Sequence, residues 1–327
     1  SKMWLFRKET DAEKEAKQRQ QATIEALTRG ELPPIARERI MRERGQGKNF
    51  FASDLTVREF LLTKEAGVQT VGQVMGTSFY KVGFWGSFRT YRGATGEIME
   101  LSQAIVQARE AAVERMRQEA ELLGASGVIG VRITMKRHSW ADNLTEFTAF
   151  GTAVRLPDWQ PSDGTFTSSL NGQEFWQLHK AGYRPHGIVM GSCAMYMHMD
   201  WNTRRQIYGW FSPNQEVNTF TDGYYQAVKT ARLRLQKDIK AHNAEGAVGV
   251  IIDPGQETIE YEINDTSYYD VLLNYVIMGT AVSAHPEKEQ QHTPPLLCLN
   301  LASKKFGALS STNAMDDEYF EEFYGED

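Results

Sequence analysis

EIMELSQAIVQAREAAVERMRQEAELLGASGVIGV, residues 97–131, decides how the rest of the chain is read. Ile98, Leu101, Ile105, Ala108, Ala112, Met116, Ala120 and Leu123 recur at steps of three and four, so they share one face of a helix. Glu110, Glu114, Arg117 and Glu121 fall on the other side. Gly124 supplies the left-handed residue that ends a helix, having no Cβ to clash there. Gly127 to Val131 then reads as a buried strand after a two-residue turn. The unit is a long helix laid on a sheet and feeding that sheet's next strand.

The unit occurs twice. Setting Gly127 on Gly246 and Gly130 on Gly249 carries Leu101 to Phe220, Ile105 to Tyr224, Ala108 to Ala227, Ala112 to Ala231, Met116 to Leu235 and Ala120 to Ile239. Gly124 becomes Asn243, the other residue that tolerates the left-handed region. Upstream, EFLLTKEAGVQTVGQVMGTS (59–78) pairs without a gap with EFWQLHKAGYRPHGIVMGSC (174–193). Downstream, FGTAV (150–154) pairs with MGTAV (278–282). Three anchors in the same order make an internal duplication.

These anchors carry a resemblance. The glycine-bearing strand, the QAREAAVERM helix, LGASGVIGV and the closing FGTAV resemble the YbjQ-like family, whose name is often paired with a heavy-metal-binding label. The likeness runs over roughly 66–156 and 181–284. It implies an α+β, dodecin-like fold: two tandem domains, each a small, mostly antiparallel sheet packed on one long helix. It also implies a pentamer in which short strands pair between subunits, and it brings no catalytic residues. The expected division is a helical charged N-terminal arm (1–54), domain 1 (55–156), a linker (157–173), domain 2 (174–284), and a linker with an acidic aromatic tail (285–327). Five such chains carry ten repeats, either as two stacked rings or as one pseudo-tenfold ring. Stacking is the expectation, since divergent copies tend to prefer their own kind.

The totals fit such a protein. At 327 residues the chain can hold two domains with adequate cores. It is 41% hydrophobic and 24% charged, ordinary for a soluble protein. A net charge of −6 argues against a general nucleic-acid binder. Cys193 and Cys298 are too few for a disulfide framework, which points to a reducing, cytoplasmic setting. No apolar run approaches the ~20 residues of a membrane span. The cluster Met3-Trp4-Leu5-Phe6 is far shorter than a signal-peptide core.

Lys8 to Arg29 reads as a solvated helix stopped by Gly30, followed by the Pro33-Pro34 break. Val68 to Thr77 reads as a strand, with Gly72 and Gly76 marking bulges or close backbone approach. Val128–Lys136 and Glu146–Leu156 form a hairpin, and so do Thr258–Ile263 and Val271–Val282. Two loops precede the long helices. One holds Phe84, Trp85, Phe88 and Tyr91; the other, Asn202 to Gln215, holds Tyr208, Trp210 and Phe211. Aromatics on loops are costly to leave in water, so these seven are the expected oligomer interface. In the tail, Tyr319, Phe320, Phe323 and Tyr324 alternate with acids, as docking anchors for a protein partner or as a disordered acidic segment.

The sharpest chemical candidate is GSCAMYMHMDW (191–201). Cys193, Met195, Met197 and Met199 share parity on a strand, with His198 on the other face. Thiolate and thioether ligands suit Cu or another soft metal. The first repeat has Ser78, Tyr80, Val82 and Phe84 at those places, a mixed set that reads as a Met-rich packing face. No metal set or cofactor is therefore assigned. There is no HExxH, CxxC, GxSxG or Walker run. GASGVIG follows a helix and precedes a strand, the reverse of a phosphate cradle. The expected function is a non-enzymatic, homo-oligomeric ring or shell scaffold; the alternative is a ring that binds a soft metal or small ligand.

Overall fold

The computed structural model describes residues 10–45, 52–81, 94–137, 144–209, 213–263 and 266–285. Helices α1 (Asp11–Thr28), α2 (Pro34–Gly45) and α3 (Val57–Glu65) lead into β1 (Gln69–Lys81) and the short β2 (Gly96–Glu97). Then come α4 (Met99–Leu122), β3 (Gly127–Arg137), β4 (Leu144–Arg155), β5 (Phe166–Thr167) and α5 (Gly172–Lys180). The second half runs through β6 (Tyr183–Met197), α6 (Trp201–Tyr208), α7 (Asn218–Ala241), β7 (Gly246–Ile263) and β8 (Thr266–Ala284).

The strands make two four-stranded sheets, ordered β1-β4-β3-β5 and β2-β6-β8-β7. All pairings are antiparallel except β3 with β5. This is the α+β class read from the sequence, and the copied details follow it. Gly124 and Asn243 both end their helices at positive φ, +69° and 52°. Thr56 and Asn171 cap α3 and α5 with the same box, closed by Glu59 and Glu174. Ser53 meets Thr152 as Ser168 meets Thr280, so the copied geometry reaches upstream to Ser53 and Ser168. The stretch between the repeats is therefore built into the fold. Phe166–Thr167 adds to the first sheet, and Phe166 stacks on Phe175 at 5.5 Å.

The glycines do what their spacing suggests. The β1 register slips between Thr70 and Gly72, and β6 slips between Pro185 and Gly187. A Cβ on Gly76 would sit 2.1 Å from the Ala112 carbonyl oxygen, and one on Gly191 would sit 2.0 Å from that of Ala231. Each long helix thus lies almost on the backbone of its strand, which only glycine permits.

Three readings need correction. The apolar stripe of α4 does not face one sheet. Ala108, Ala112, Met116 and Ala120 pack on the first sheet, whereas Ile98, Leu101 and Ile105 pack on Ala194, Tyr196, Leu272 and Val276 of the second. The helix is long enough to span both, so one stripe serves two neighbours. Asn202 to Gln215 is not wholly a loop either: Asp200 accepts the Thr203 N–H at 2.7 Å and starts α6. Finally, β7 runs unbroken from Gly246 through Pro254 to Ile263, where the sequence reads a strand copied at Gly246 and a separate hairpin strand at Thr258–Ile263. It is an edge strand, where the missing proline N–H can face away from the ladder.

The layers are accordingly first sheet, α4, second sheet, α7, with Cys193, Met195 and Met197 facing α7. Helix α2 lies against the C-terminal half of α4, where Arg39 bonds Glu119 at 2.6 Å and Arg44 bonds the Leu122 carbonyl at 3.1 Å. No helix among the described residues is long and apolar enough to cross a membrane.

The glycine contacts give a direct check. Gly191→Ala is expected to cost ~1–3 kcal/mol in chemical denaturation, as overpacking does. Gly246→Ala, with nothing within 4 Å of its added Cβ, should fall within ~0.5 kcal/mol of wild type.

Candidate functional site

The place where the fold does something a single repeat cannot is the seam between the sheets. Strand β2, the entry to α4 in the first repeat, pairs with β6 of the second: Gly96 opposite Tyr196 and Glu97 opposite Met195. The ladder continues into the helix start. Ile98 donates its N–H to the Ala194 carbonyl at 2.8 Å, and the Ala194 N–H returns a bond to Ser102 Oγ at 2.8 Å. Ser102 also donates to Glu97 Oε1 at 2.6 Å.

Charge locks this strand in register. Arg234 of α7 reaches along β6 and donates to the Ser192 carbonyl at 2.6 Å. It meets Glu97 through both guanidinium nitrogens, Nη2 to Oε2 at 3.0 Å and Nη1 to Oε1. A fork-on-carboxylate pair of this kind is both directional and charge-assisted. A second pair crosses farther along: Arg109, buried and stacked 5.7 Å over Phe147, donates to Asp253 Oδ2 at 2.9 Å. Beside it a cleft of about 270 Å³ is lined by Glu110, Glu114, Arg117, His186, Asp238 and His242. Glu114 and Arg117, on the side of the helix away from its apolar stripe, are half-buried there and paired at 2.7 Å. His242 is held above the ordinary imidazole range, chiefly by its side-chain bond to Asp238. Opposite charges line the cleft in pairs, Glu114 with Arg117 and Asp238 with His242.

The sulfur-rich strand is a packing surface. Cys193, Met195 and Met197 lie under Ala227 and Ala231 of α7, and Cys193 is fully buried. Burial, with the Glu97 charge added, pushes the Cys193 thiol up to about 12, so at neutral pH it is protonated, the wrong form for a metal ligand. Met199 lies beyond the strand end, its N–H on Asp270 at 2.7 Å, and His198 Nδ1 lies 3.1 Å from the same carboxylate. Among the described residues no group of three or more His, Cys, Asp or Glu is placed to hold a metal ion. Tyr208 ends α6 and is exposed. Phe84, Trp85, Phe88, Tyr91, Trp210 and Phe211 lie outside the described residues, as do Tyr319, Phe320, Phe323 and Tyr324.

Sequence reasoning missed Glu97 and Arg234, although the signal was present. Extending the helix alignment in its own register puts Glu97 on Glu216 and Arg115 on Arg234. A charged residue repeated at the foot of a strand is invisible to apolar periodicity.

Two measurements follow. Glu97→Ala leaves Arg234 without its carboxylate and is expected to cost about 2 kcal/mol in denaturation, below the ~3–5 of a fully buried pair because both side chains keep some exposure. In a Cys298→Ser background, Cys193 should react with a thiol reagent at pH 8 only after unfolding; rapid modification of the native chain would show an accessible thiolate.

The comparisons bear on the same segments. A family model described as "Putative heavy-metal-binding" (YbjQ_1) matches residues 56–157. The encapsulin nanocompartment protein Rv1762c of Mycobacterium tuberculosis is 35% identical over 258 residues, 77% of this chain and 91% of that protein. A UPF0145 protein of Halorubrum lacusprofundi is 49% identical over 63 residues, 19% of this chain and 59% of that protein. One of Sulfurisphaera tokodaii is 41% identical over 91 residues, 27% of this chain and 76% of that protein. No solved structure matches the chain significantly. With one repeat inside the family's segment and the longer alignment running through both, the chain belongs to the YbjQ-like family.

Proposed function

We propose that the chain is a non-enzymatic, homo-oligomeric assembly module, a ring or shell scaffold made from its two YbjQ-like repeats. The observation that carries this is the seam: one repeat completes the sheet edge and covers the sheet face of the other. Units that satisfy each other this way head to tail leave the same two surfaces open at the chain's ends, and such heterologous contacts generate rings or filaments. The name of the mycobacterial relative, an encapsulin nanocompartment protein, supports the same reading.

The division into an arm (1–54), repeats (55–156 and 174–284) and tail (285–327) belongs to this proposal, as does a cytoplasmic location. So does the family's fivefold order, five chains giving ten repeats. Because the seam joins unlike repeats side to side, it favours one ring of alternating repeats over two stacked rings. The aromatics Phe84, Trp85, Phe88, Tyr91, Trp210 and Phe211, with exposed Tyr208, are proposed to line contacts between chains. Tyr319, Phe320, Phe323 and Tyr324 are proposed to anchor the acidic tail on a protein partner.

Light scattering on the purified full chain tests the assembly. A stable particle of five chains, or a multiple, at low micromolar concentration is the expected result. A monomer that persists at high concentration would contradict it.

A further inference from the structure

The cis seam has a complete set of counterparts with one member missing. On the first sheet, Arg115 does what Arg234 does on the second. It projects from the long helix and donates Nη1 to the Thr77 carbonyl at 2.6 Å, as Arg234 does to Ser192. One turn on, Glu119 accepts the Met75 N–H at 2.9 Å, as Asp238 accepts that of Met190 at 2.8 Å. The two strand feet are the same structure. Yet Arg234 is neutralised by Glu97, whereas among the described residues Arg115 has no carboxylate, and its Nε is buried with no hydrogen-bond partner. Desolvation pulls the Arg115 guanidinium below its usual range, opposed only by the Tyr80 phenol.

The complementary half stands at the other end of the chain. Glu216-Val217 occupies the place before α7 that Glu97-Ile98 occupies before α4. Val217 has φ −89° and ψ 88°, against −90° and 90° for Ile98, whose conformation is set by its bond to Ala194. Glu216 is exposed and joins no ion pair among the described residues. Thr221 keeps the hydroxyl of Ser102.

Burial shows the same asymmetry on both faces. Met190, covered by α4, is 5% exposed, while its counterpart Met75 on the first sheet is 46% exposed. Ile105, set against the second sheet, is 5% exposed, while its counterpart Tyr224 on α7 is 41% exposed. Strand β1 lies at the edge of its sheet, and in the second sheet the corresponding strand, β6, is covered by β2.

We infer that the open face of the first sheet receives α7 and the Glu216-Val217 strand of a second copy of this chain, with Glu216 supplying the carboxylate to Arg115. This rests on the assembly reading and deepens it by naming the interface. Gln215-Glu216 adds antiparallel to Tyr80-Lys81 as Gly96-Glu97 adds to Met195-Tyr196, placing Gln215 opposite Lys81. The outer side of α7 covers Met75. The contact repeats the cis step, so every junction in the closed ring joins a first-repeat sheet to a second-repeat helix or the reverse.

Charge reversal on the full chain tests the assignment. Wild type is expected to run as an oligomer in light scattering. Glu216→Arg, at an exposed site, should shift the mass to that of a single chain, and Arg115→Glu should do the same. The double variant Arg115→Glu/Glu216→Arg should recover the oligomer. Because Arg115→Glu alters a half-buried position, a second measurement avoids it. In a Cys298→Ser background, equal amounts of Gln215→Cys and Lys81→Cys chains are mixed and mildly oxidised with copper phenanthroline. Disulfide-linked pairs should form in the mixture and not in either chain alone. If wild type assembles while Glu216→Arg leaves its mass unchanged and no mixed pairs form, this interface is wrong and the assembly reading stands. If wild type is a monomer, the assembly reading itself fails.

Discussion

A guanidinium held along the foot of a strand in partly dry surroundings needs an anion, and the second half of this molecule shows where it comes from. Arg234 is fixed by the Ser192 carbonyl and so cannot swing out to water without giving up that bond. Glu97 arrives from the other repeat and neutralises it, bringing a strand and the start of a helix with it. Removing either partner would strand a charge in low dielectric, which costs more than the pair itself contributes. The pair therefore acts chiefly as a register lock: β2 can sit on β6 in one alignment only. The apolar packing of Ile98, Leu101 and Ile105 against Tyr196, Leu272 and Val276 supplies most of the contact energy once that alignment is set.

Close approach makes the lock possible. Arg115 and Arg234 reach their strand carbonyls because Gly76 and Gly191 let the helices lie on the strands. Glycine, the small helix residues Ala112 and Ala231, and the arginine one turn on form one local device, used twice. The sulfur residues of β6 have a humbler part. They fill the space under α7, where flexible methionines suit an irregular gap left by a helix that bears Gly223.

Much of this was legible in the sequence, for physical reasons that also mark its limits. The helices, their left-handed stops at Gly124 and Asn243, the glycine bulges and the duplication all leave local periodic or conformational signatures. Ile98, Leu101 and Ile105 share a stripe with Ala108 and Ala112, and nothing in the period tells which of two sheets each will meet. Helix α6 was hidden because the aromatics Tyr208, Trp210 and Phe211 suggested a loop, while its one clear signal was the cap at Asp200. The Glu97–Arg234 pair joins residues far apart in sequence, and only the comparison of two similar halves, one with the pair and one without, gives it meaning.

The central claim is that the chain closes with copies of itself by the contact it already makes within itself. Electron-microscopic averaging of the intact particle tests this most directly. The account predicts a ring in which sheets and long helices alternate around the axis, each first-repeat sheet covered by a neighbour's α7. Isolated chains, or pairs related by a twofold axis with their first sheets face to face, would contradict it.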